Sequence, residues 1–98
     1  MGYKGEIPTI HRGTVDVCLD KGPGVVYWFN FVVTTGDGTI RIRDGPDDSA
    51  EILATFKVDA GESGFELFIP PLPYERGLFV NPVDHIQDFT IAYDHRES

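Results

Sequence analysis

Val25 to Arg43 reads VVYWFNFVVTTGDGTIRIR, and this stretch decides the fold. Side chains alternate across the two faces of a strand. That period places Tyr27, Phe29, Phe31 and Val33 on one face and Val26, Trp28, Asn30 and Val32 on the other. Aromatic and β-branched residues suit a pleated surface. Thr35-Gly36-Asp37-Gly38 is hairpin-turn chemistry, because glycine reaches the positive φ that tight turns need. Thr39 to Arg43 then alternates cleanly, with Ile40 and Ile42 inward and Thr39, Arg41 and Arg43 outward. The reading is a hairpin whose first strand is apolar on nearly both faces.

The same grammar extends in both directions. Upstream, Lys21-Gly22-Pro23-Gly24 breaks the chain after a strand over 14–19 that carries Val15, Val17 and Leu19 in phase. Residues 1–12 hold Gly2, Gly5 and Pro8, with little core material beyond Ile7 and Ile10, and read as an extended N-terminal arm. Downstream, a strand over 51–58 places Ile52, Ala54, Phe56 and Val58 in phase, and one over 65–69 places Phe65, Leu67 and Ile69 inward. Pro70-Pro71-Leu72-Pro73 cannot pair inside a sheet and must cross an edge or an end. Short strands follow over 77–80 and over 88–93, the latter with Phe89, Ile91 and Tyr93 in phase. No stretch sustains a helical period.

Strands about 8–12 residues apart between Gly, Pro and Asp turns predict an all-β fold. The expectation is a two-sheet antiparallel β-sandwich of about seven strands, immunoglobulin-like or jelly-roll, with a domain over 13–98 preceded by the arm. A chain of 98 residues makes one domain with a thin core.

Composition narrows the function. Sixteen acidic against eight basic residues give a net charge of −8, a field that repels nucleic-acid backbones and anionic membranes. Cys18 is the one cysteine, so a disulfide framework and a cysteine zinc site are both excluded. The first residues contain no apolar signal-peptide core. The apolar run over 25–33 is too short to span a bilayer as a helix. The expected location is inside a cell, or outside it as part of a larger particle.

Catalytic patterns are scarce. His11, His85 and His95 are isolated, no phosphate loop precedes a helix, and no serine sits in a nucleophile elbow. Cys18 alternates with Val17 and Leu19 and reads as structural, facing away from the core. Asp44, Asp47 and Asp48 cluster in one loop and Asp37 lies in another. Such carboxylates can hold Ca²⁺, yet Asp-Gly-Pro-Asp-Asp is also ordinary turn chemistry, the reading preferred. No enzyme activity, cofactor or metal is expected.

What stands out is surplus apolar surface. Trp28 and Val32 lie on the second face of their strand, and Leu53, Phe68 and Phe79 are out of phase with inward neighbours. A lone two-layer domain has little room for them, so a protein interface is expected over Ile7, Ile10, Trp28, Val32, Phe68 and Phe79.

The stretch from Gly38 to Tyr93 resembles the small β-sandwich virion proteins of tailed bacteriophages. The resembling features are the Gly36-Asp37-Gly38 turn into Thr39-Ile40-Arg41-Ile42-Arg43-Asp44-Gly45, and a strand ending near Asp59-Ala60-Gly61-Glu62. They continue with Pro70-Pro71-Leu72-Pro73-Tyr74-Glu75-Arg76-Gly77-Leu78-Phe79-Val80 and a closing Phe89-Thr90-Ile91-Ala92-Tyr93. The most specific part is Pro-Pro, an aromatic, then Gly-Leu-aromatic-Val. The resemblance implies a non-catalytic head-decoration or head–tail accessory protein, made in the host cytoplasm and located in the virion. Its implied partners are capsid or other virion proteins, as a homo-oligomer or multi-copy assembly, with no nucleic acid and no membrane. The alternative is a carbohydrate- or ligand-binding β-sandwich module, with Tyr3, Tyr74 or Trp28 as the exposed aromatic.

Overall fold

The computed structural model describes residues 8–96. It contains eight strands: β1 (Thr9–Gly13), β2 (Val17–Asp20), β3 (Gly24–Val33), β4 (Gly38–Asp44), β5 (Glu51–Val58), β6 (Ser63–Tyr74), β7 (Leu78–Asp84) and β8 (Ile86–His95). They form two four-stranded sheets ordered β1-β8-β3-β6 and β2-β7-β4-β5, and every pair is antiparallel. The pairings nest. The β4–β5 hairpin is innermost, followed outward in sequence by β3 with β6, β2 with β7 and β1 with β8. A long antiparallel hairpin rolled in this way is a jelly roll. The sandwich is therefore as expected, and of the two topologies left open it is this one; the turn over 35–38, expected to close a hairpin, instead crosses from β3 in one sheet to β4 in the other.

The strand count differs at the N-terminus. Residues 14–19 do not form one strand: residues 14–16 cross between the sheets, separating β1 in one from β2 in the other. Residues 9–12, expected within a free arm, belong to β1, where Thr9 to Gly13 pair with Tyr93 to Phe89 of β8. Among the described residues the first strand begins at Thr9; residues 1–7, which include Ile7, lie outside them.

The core lies between the sheets. Val26, Phe29, Phe31 and Val33 of β3 meet Ile40 and Ile42 of β4, Leu78 and Val80 of β7, and Phe89 and Ile91 of β8. Phe29 is the hub, with ring centroids 5.4 Å from Phe56, 5.6 Å from Phe31 and 6.1 Å from Phe89. Offset and edge contacts between such rings add to the burial of their area. Asp44 is buried and accepts the backbone N–H groups of Glu75 (2.9 Å) and Arg76 (2.7 Å), while Asp47 binds Ser49 Oγ at 2.6 Å. The Asp44–Ser49 loop thus spends two of its carboxylates on turn geometry.

Bulges shift three strand phases. Between Val26 and Trp28 of β3 the partners on β8 are adjacent, Tyr93 and Ala92, so Tyr27 is an inserted residue. Val26 thereby joins Phe29, Phe31 and Val33 in the core, contrary to strict alternation. In β5, Leu53 is inserted between Ala54 and Ile52; it packs on the core while Ile52 turns out to solvent. In β6, Phe68 to Pro71 stand opposite the single residue Tyr27. Phe68 packs inward, 6.3 Å from Phe56, and Phe65, Leu67 and Ile69 are exposed, reversing the expected phase. The proline run is tolerated because β6 is an edge strand.

Candidate docking face

The outer face of the β1-β8-β3-β6 sheet is built by register. Residues directly opposite one another in adjacent strands share a face. One row across the sheet is Ile10, Ala92, Trp28, Leu67; the next is Arg12, Thr90, Asn30, Phe65; a third is Asp88, Val32, Ser63. Ile10 (52% exposed), Val32 (38%), Phe65 (63%) and Leu67 (51%) are large apolar groups open to water. Trp28 is half-buried, with its ring 6.2 Å from that of Phe65. Ile69, in the inserted segment of β6, is 82% exposed. Single exposed leucines are ordinary; a contiguous set on one sheet face is a feature of interaction surfaces.

The charge on these rows is compensated. Arg12 and Asp88 are their only charged members among the described residues, and they pair with each other at 3.1 Å. Ala92 is fully buried between Ile10 and Trp28 in its row, so the face alternates large and small side chains.

Of the expected interface residues, Ile10, Trp28 and Val32 lie together on this face. Phe68 and Phe79 do not. Phe68 packs on the core, and Phe79, 8% exposed, lies on the opposite sheet in a row with Cys18 and Arg43. Leu53 is likewise taken up by the core. Phe65 and Leu67, assigned inward by alternation, belong to the face instead. Pro70 and Pro71 were the signal that could have shown this, since prolines there interrupt pairing and allow the phase to slip.

Two polar clusters lie elsewhere. Asp20 accepts Tyr74 Oη–H at 2.6 Å, lies 3.0 Å from His95 Nδ1 and accepts the Gly22 N–H at 3.3 Å. Burial would raise the Asp20 carboxyl, but the bonds from Tyr74, His95 and Gly22 outweigh it and hold it below its ordinary value. Burial, reinforced by Asp20, pushes the Tyr74 phenol well above the usual range. The group ties the C-terminal end of β8 to β2. An open cleft of about 430 Å³ lies between the β1–β2 crossing and the β7–β8 turn. Of its polar groups, Asp16 accepts from Asn81 Nδ2 (3.1 Å) and His85 Nδ1 lies 3.1 Å from the Asp37 carbonyl, so both serve the loops. Among the described residues no cluster of His, Cys, Asp or Glu could hold a metal ion, and no helix is long and apolar enough to cross a membrane.

No protein-family model and no curated protein matches the chain. Among solved structures, a crystal structure of PirA is similar at 19% identity and a TM-score of 0.47, over 94% of this chain and 99% of that one.

Proposed function

We propose that the protein is a non-catalytic virion structural protein that docks on a phage capsid or head–tail assembly through the outer face of the β1-β8-β3-β6 sheet, stabilising or decorating it. The observation that carries the docking is the contiguous set Ile10, Trp28, Val32, Phe65 and Leu67 on one open sheet. The likeness of residues 38–93 to phage virion β-sandwiches supplies the choice of assembly. Many copies on a repeating lattice make modest contacts additive. Docking is assigned to this face rather than to an arm, because residues 9–12 are already paired within β1.

The test is co-sedimentation with purified particles. Phe65→Ser with Leu67→Ser removes two exposed side chains, so the fold survives and recovery with particles falls at least tenfold. Unchanged recovery would remove this face from the docking proposal.

A second reading is favoured by one observation. Trp28 and Phe65 form an aromatic pair on an open sheet, and jelly rolls also occur in lectins. Trp28 is the one tryptophan, so a glycan titration followed by its fluorescence gives a saturable shift if the face binds sugar.

A further inference from the structure

We infer that in the free protein this face is covered by a second copy of the chain, in a two-fold, face-to-face dimer that opens when the protein docks. The inference rests on reading the face as a docking surface, and three features select the occupant.

The first is charge. The molecule carries −8, so most approaches of two copies are repulsive. The three rows from Ile10 to Ser63 carry only the Arg12–Asp88 pair, already neutralised, so two copies meet there without adding like charge. The second is area. Four strands about 4.8 Å apart, three of them at least ten residues long and β1 five, give a face of about 550 Å², whose end beyond the three rows adds Asp94, itself paired with Arg96 at 3.6 Å. Two such faces bury about 1,100 Å², just above the size a specific interface needs. The third is relief. Asn30 and Thr90, half-buried and shorter than Arg12 and Phe65 at the two ends of their row, leave a hollow between ridges. A two-fold axis sets the ridges of one copy into the hollows of the other, as sheets interdigitate within a sandwich. Such a contact closes on itself, so the apolar face does not propagate into open-ended aggregates.

Sedimentation equilibrium of the full 98-residue chain from about 1 to 200 μM tests this. The expected result is a rise from the 10.9 kDa monomer to twice that mass, with Trp28 emission moving to the blue as dimer forms. Phe65→Ser with Leu67→Ser should keep the monomer mass throughout while circular dichroism and melting at low concentration stay unchanged. A wild-type monomer across the range overturns the inference, and so does a dimer that survives the double substitution. A monomer that still co-sediments with particles through Phe65 and Leu67 overturns the dimer and leaves docking standing. A dimer that never binds particles does the reverse.

Discussion

At Asp20 one carboxylate holds three separate parts of the chain: the end of β6 through Tyr74, the β2–β3 turn through Gly22 and the end of β8 through His95. Its lowered pKa means that folding favours the ionised form. The stabilisation is therefore present above the unfolded value of about 3.9 and is lost as pH falls through the folded one. Tyr74 has the opposite sign. Its raised pKa favours the protonated phenol, so stability is complete below about pH 10 and declines as pH rises past it. Tyr74→Phe should cost about 1–3 kcal/mol at neutral pH, because it strips a hydrogen bond from a largely buried carboxylate. It should also flatten the alkaline decline, which urea melts at neutral pH and near pH 10.5 would read. Gly64 sets a second limit of this kind. A Cβ there would overlap the Phe31 ring, so Gly64→Ala should destabilise by about 1–3 kcal/mol in the same assay.

At the scale of elements, β6 is the decisive strand, because its phase determines which side chains are core and which form the docking face. Phe68 packs on the core and meets Phe56, whereas Phe65 is 63% exposed. Phe68→Ala should therefore cost about 2–4 kcal/mol, and Phe65→Ala should cost under about 1 kcal/mol, by thermal or urea unfolding of the monomer. Equal effects would contradict the phase. The strands β3 and β4 and the inward isoleucines of β4 were legible from period two, but the hairpin read from the Gly-Asp-Gly turn was not there: β3 pairs with β6 and β8, and the turn carries the chain across to β4 in the other sheet, a choice that turn residues alone do not encode. The inserted residues Tyr27 and Leu53 and the segment Phe68 to Pro71 were not legible either, because a bulge is a property of a strand pair and alternation is counted along one strand. The same limit hid Phe65 and Leu67. Trp28 and Val32 were found correctly as members of the outer face, since β3 is regular from Trp28 onward with β6 and through Val32 with β8. Thr9 to Gly13 was missed for another reason: a short edge strand with exposed Thr9, Ile10 and Arg12 has little apolar pattern, and β8 defines it.

For the whole molecule, the balance between apolar attraction and charge repulsion decides how two copies behave. Each brings −8 to the contact, while the face itself brings a neutral pair. Were the dimer held by intermolecular ion pairs, added salt would weaken it. Here the long-range term is repulsive and salt screens it: the Debye length falls from about 14 Å at 0.05 M to about 4 Å at 0.5 M. The apolar contribution, governed by area removed from water, changes little over that range or strengthens slightly. Dimerisation should thus tighten by about three- to tenfold between those two salt concentrations, read as a lower dissociation constant by sedimentation equilibrium. The melting temperature should also rise with protein concentration in high salt, because a dimer that binds only folded chains stabilises them by mass action. Replacing Val32 with Lys would set a cation into the apolar face of each copy, and at either salt concentration it should leave a monomer whose melting temperature no longer depends on concentration.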